Sequence, residues 1–212
     1  MLLHTWDEMD DGSTPWRPRL SGDQQMQGGL EVRLSASLVN RDLPHFFNEG
    51  ISGFIINPRV LTHNGIRCGW PLDAGTIRMR DGCQAGYMCD PIYPSGYCWY
   101  SSDQLGSMLA AQDAGAINLG CNQAECHYNE VIIDDTFWRA HLPAVIEAFF
   151  VSVNAAAEGP CNRDPYLFVH DGACHDVREV RRQFIRAYGL ASTAVPLMVY
   201  DVAGREFRLA RE

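Results

Sequence analysis

Two His-Asp dipeptides stand five residues apart, His170-Asp171 and His175-Asp176, around Gly172-Ala173-Cys174. Imidazole titrates near neutral pH and a neighbouring carboxylate can orient it, so the pattern suits a metal ligand set or general acid–base work. The same residues also read as a loop in which Asp176 simply caps the helix that follows. A second group, Glu130, Asp134, Asp135 and Glu147, surrounds apolar runs. A glycosidase needs two carboxyls held roughly 5–9 Å apart, and the end of a strand in an α/β fold is a common place for such groups. On that alternative the chain is a secreted hydrolase acting on glycans through Asp134 or Asp135 with Glu130 or His170. An Asp between a strand and a helix is equally explained as a cap, and the preferred reading assigns no catalytic residue, no metal and no cofactor.

The cysteines carry the next chemistry. Cys68, Cys83, Cys89, Cys98, Cys121 and Cys126 crowd a stretch rich in Gly, Pro, Tyr and Asn, while Cys161 and Cys174 lie downstream. An even count on turn-rich sequence is the signature of a domain stapled by disulfides in an oxidising compartment. Eight paired cysteines allow 105 connectivities, and none is preferred. Cys121-x4-Cys126-His127 and Cys174-His175 also offer soft ligands for a tetrahedral zinc, which would make the chain an intracellular adaptor. Strong zinc spacing repeats a Cys-x2-Cys pair, and no such pair occurs.

Composition removes whole classes of mechanism. The formal charge of -9 comes from 26 acidic and 17 basic residues, and every basic one is Arg. Without Lys there is no phosphate-loop lysine, no Schiff base and no Ser-x-x-Lys dyad. An acidic balance opposes binding of nucleic acid, which rests on counterion release from a basic surface. No Gly-x-Ser-x-Gly elbow occurs either; Gly50-Ile51-Ser52-Gly53 lacks its spacing. The longest apolar run, Ala144 to Val153, is interrupted by Glu147 and is too short to cross a bilayer. The first residues lack the basic and apolar regions of a secretory signal, so an exported protein would carry this sequence in processed form.

These residues need elements to position them. Residues 1–29, with Trp6, Trp16 and scattered Pro and Gly, are expected to form an extended arm ahead of one domain over 30–212. Leu30, Val32, Leu34, Ala36 and Leu38 alternate as in a strand, and Phe54 to Ile56 makes another. Residues 62–126 form a Cys-rich, irregular subregion holding one helix capped at Ser102-Asp103. Residues 127–212 read as alternating strand and helix: a strand at Glu130 to Ile133, a short helix ended by Leu142-Pro143, a strand at Val145 to Val153, a helix from Asp176 to Gly189, and a hairpin from Val195 to Leu209. A helix between two strands favours parallel crossover pairing, so the expected class is α/β, with α+β as the alternative. A small mixed sheet with two or three helices would carry the disulfide-stapled insertion.

The helix after Asp176 has two sides. Val177, Val180, Phe184, Ala187 and Tyr188 make one; Arg178, Arg181, Arg182 and Arg186 make the other. The cationic side either docks on an acidic partner, a sulfated glycan or an anionic lipid, or pairs with the chain's own carboxylates. Tyr128 to Asp134, Leu142-Pro143, Ile146 to Phe150, Phe184 to Leu190 and Val195 to Leu197 resemble core segments of Cys-rich proteins of unicellular algae that carry no assigned activity. That resemblance implies a lineage with secretory and plastid-lumen compartments. The sequence therefore points to a non-catalytic binding or assembly module, secreted or lumenal, with Trp6, Trp16, Tyr93, Trp99, Arg178, Arg182 and Arg186 as the partner-binding residues. Its narrower form is an accessory subunit on the lumenal face of a membrane complex of photosynthesis. The partner is a protein, neither nucleic acid nor a bilayer crossed by the chain.

Overall fold

A computed structural model of the chain describes residues 2–5, 33–38, 52–57, 59, 65–70, 100–107, 110, 130–134, 141–153, 161, 164, 166–170, 173–201, 204 and 206–211. Eleven strands and one long helix stand out among them. The strands are β1 (Leu2–Thr5), β2 (Arg33–Leu38), β3 (Ser52–Ile56), β4 (Ile66–Trp70), β5 (Tyr100–Ser101), β6 (Glu130–Asp134), β7 (Ile146–Val153), β8 (Leu167–His170), β9 (Ala173–Asp176), β10 (Leu197–Asp201) and β11 (Glu206–Leu209). The helix, α1, spans Val177–Ala187. Nine strands form one mixed sheet in the order β11-β10-β7-β3-β1-β2-β6-β4-β5, and β8 and β9 form a hairpin of their own. The class is the expected α/β; the sheet is wider than the small one the sequence suggests.

The crossover behaves as its order predicts. From β7 the chain passes through the β8–β9 hairpin and α1, then returns as β10 parallel to β7, with Phe149 opposite Leu197 and Val151 opposite Val199. β11 turns back antiparallel on β10. β7 is central, buried on both faces from Ala148 to Ser152, which explains why its sequence is a continuous apolar run and does not alternate.

Three expectations are corrected. Leu2–Thr5 is an interior strand, hydrogen-bonded to β2 on one side and β3 on the other, where an arm over the surface was expected; four residues with little pattern of their own take their partners from the sheet. Residues 6–29, Trp6 and Trp16 included, lie outside the described set. Leu142-Pro143 does not end a helix: residues 141–145 are helical through Pro143 and β7 begins at Ile146, since the φ that proline fixes is a helical one. The stretch around His170 and His175, expected as loop, is the β8–β9 hairpin.

Most of the core is one cluster in which sheet and helix meet. Phe54, Ile56, Phe149, Val151, Leu197 and Val199 of the sheet join Val177, Val180 and Phe184 of the helix in one buried cluster. An aromatic chain links the layers: Phe54 to Phe149 at 6.4 Å, Phe149 to Phe184 at 5.5 Å and Phe184 to Tyr188 at 4.9 Å between ring centroids. A smaller cluster on the opposite face unites Ile55, Ala148, Phe150 and Tyr200, with Met198 and Phe207 packed at its margin.

Candidate functional site

The helix start is built from residues the sequence singled out. Asp176 is extended, caps α1 and accepts the Arg178 amide at 2.9 Å. The Arg178 guanidinium donates to both Asp176 oxygens at 2.8–3.0 Å and to Asp164 Oδ2 at 2.9 Å. It also lies 4.5 Å from the ring centroid of Tyr166, whose amide donates to Asp164 Oδ1. A cation held between two carboxylates and an aromatic face is saturated. Burial works against the Asp176 charge, but side-chain and backbone hydrogen bonds from Arg178 outweigh it and hold the carboxyl below its ordinary range. The hydrogen bond to Asp176 raises the Arg178 pKa in turn, against the desolvation that burial imposes.

One disulfide staples this corner. Cys161 and Cys174 are bonded, with Cα atoms 5.7 Å apart and a sequence separation of 13. Cys174 therefore supplies no thiolate to a zinc site. Its neighbour His175 stacks on Phe168 at 5.6 Å. By register His170 stands across from Ala173, and Asp171 lies outside the described residues. Among the described residues no free cysteine and no cluster of three metal-ligating side chains occurs.

The carboxylate pair proposed from sequence is spread along a strand. Glu130 and Asp134 are the two ends of β6, a separation of roughly 13 Å at the rise of a β-strand, beyond the reach of paired glycosidase acids. Register sets Arg33 opposite Asp134. Asp135 lies outside the described residues, as do Tyr93, Trp99, Cys83, Cys89, Cys98, Cys121 and Cys126; Cys68 lies on β4, across from Ser101.

The cationic side of α1 is smaller than the wheel suggests. Arg181 is only 7% exposed, and its guanidinium donates to the carbonyls of Val195 and Ser192. It is a clamp between the helix and the loop before β10, while Ala187, expected on the apolar side, is exposed. Arg182 and Arg186 both pair with Glu179, at 2.9 and 2.8 Å. The hydrogen bond from Arg182 lowers the Glu179 pKa despite some desolvation. Arg178, Arg182 and Arg186 are thus each engaged by the chain's own carboxylates.

The surface that sequence reasoning missed is the β10–β11 edge. Leu209 is 66% exposed, the large apolar residue most open to solvent among the described residues. Register puts it beside Met198, and Phe207 beside Tyr200; Phe207 closes an aromatic group with Tyr200 at 4.6 Å and Phe150 at 5.9 Å. This strip runs from the buried margin of the smaller cluster out to the last strand of the sheet. The alternation Glu206-Phe207-Arg208-Leu209 was its sequence signal: one apolar face on a strand that closes the sheet. No family model, curated protein or solved structure matches the chain.

Proposed function

We propose that the chain is a non-catalytic binding or assembly module that works in an oxidising compartment, secretory or lumenal, and that contacts a protein through its β10–β11 edge. The observation that carries this reading is the apolar strip in which half-buried Met198 and Phe207 lead to exposed Leu209 on the last described strand of the sheet, since sheet edges with apolar side chains are where strands add. The acid and base groups around α1 are occupied with one another: Asp164 and Asp176 hold Arg178, and Glu179 holds Arg182 and Arg186. The Cys161–Cys174 bond supports the compartment. No described helix is long and apolar enough to cross a membrane. The narrower version, an accessory subunit on the lumenal face of a photosynthetic membrane complex, draws its support from the algal resemblance.

A photo-reactive side chain at position 209, compared with one at exposed position 186, tests the reading in extracts of the source cells. The expected result is one discrete protein adduct from 209 and none from 186, together with an unreduced intact mass eight protons below the reduced mass for the eight cysteines. Equal labelling at both positions, or retained zinc with free thiols, would sink it.

A further inference from the structure

We infer that β11 is a self-complementary edge and that the protein it takes first is a second copy of this chain, joined antiparallel about a twofold axis at Phe207. This deepens the binding-module reading and rests on the same edge. Backbone direction comes first. The Ala210 amide donates to the Leu197 carbonyl at 2.9 Å, continuing the register in which Met198 faces Leu209. Antiparallel ladders alternate hydrogen-bonded and non-bonded pairs, so Arg208 and Glu206 bond inward to β10. The amides and carbonyls of Phe207 and Leu209 point outward, to the side of β11 on which no described strand lies. An incoming strand must therefore pair its own outward residues with 207 and 209.

Charge then selects the register. Centring the twofold on Phe207 sets Glu206 of each copy opposite Arg208 of the other, two attractive pairs from one four-residue strand. Sliding by two residues sets Arg208 against Arg208 or Glu206 against Glu206, and like charges directly opposite are repulsive. Edge charges usually keep strands apart; here their opposite signs two residues apart make the strand its own complement. On the other face the two Phe207 rings would meet, with each Leu209 diagonal to the opposing Phe207, so the most exposed apolar residue gains cover.

Sedimentation of the full chain over a concentration series, with charge-swapped variants, tests this pairing. Glu206→Arg and Arg208→Glu each turn two attractions into two repulsions, and each should weaken self-association by about ten-fold. Both sites are exposed, so melting temperatures should stay close to the parent. The double variant Glu206→Arg/Arg208→Glu should recover association, and an equimolar mixture of the two single variants should form a mixed dimer. A parent chain that stays monomeric throughout, or single variants that associate like the parent, would overturn self-pairing. If position 209 still labels a protein of different mass, the binding-module reading survives that failure; if it labels nothing, both fall.

Discussion

Phe149 and Phe150 are neighbours on β7, and both are fully buried, yet they belong to different worlds. Phe149 faces α1 and sits between Phe54 and Phe184 in the large cluster. Phe150 faces away, in a four-residue cluster whose margin, Met198 and Phe207, leads to exposed Leu209. One face is closed by a capped, salt-bridged and disulfide-stapled helix unit. The other tapers from full burial to solvent across two strands. A face that is closed on all sides reports how the molecule holds together; one that tapers at an open edge reports where it meets something else.

The sharpest way to break this contrast is to delete a ring from each face. Phe149→Ala should cost about 3–5 kcal/mol of unfolding free energy and Phe207→Ala no more than about 1 kcal/mol, because only the first empties a site enclosed on every side. Denaturant titration of both variants checks it, and equal losses would erase the distinction. Arg181→Ala should come next, at about 2 kcal/mol, since it strands the Val195 carbonyl in a buried position and frees the loop that leads into β10.

A smaller effect separates the faces by pH. The Asp176 carboxyl is held below its ordinary range in the folded chain, so between its unfolded and folded pKa values the unfolded state binds more protons. Its contribution is then complete above about pH 4 and is lost as the pH falls through the folded value. Asp176→Asn should flatten this acid limb of the stability profile, leaving the part that Glu179 supplies through Arg182 and Arg186. The smallest effect concerns the opposite face, where Ser152 Oγ is buried with no hydrogen-bond partner among the described residues. Ser152→Ala should be neutral or stabilising by up to about 1 kcal/mol, because it removes an unmet polar atom and little volume.

The α1 unit was legible in advance because its signals are local. Asp176 accepts the Arg178 amide as a cap. Gly189 adopts φ +62 and closes the helix in a Schellman arrangement, with Leu190 bonded back to Ile185 and Gly189 to Arg186. The strands at 33–38, 52–56, 130–134 and 146–153 announced themselves by alternation or by apolar runs. The edge strip is half visible: Phe207 to Leu209 reads as a strand, but nothing in four residues says that it will be the last described strand of the sheet. Arg181 was misread because the groups that bury it are backbone carbonyls eleven and fourteen residues on, and any sequence carries carbonyls.

Residue order alone settled the α/β class, the helix α1 and the strands β2, β3, β6, β7, β10 and β11, since caps and periodicity act within a few tens of residues. Folding in three dimensions decided the rest. It placed Leu2–Thr5 between β2 and β3, joined Cys161 to Cys174, turned Arg181 inward and left Leu209 on the outermost strand. Each of these is a choice of partner that neither a cap nor a hydrophobic period encodes. The free energy of such a choice depends on competing surfaces that come together only when the whole sheet has formed.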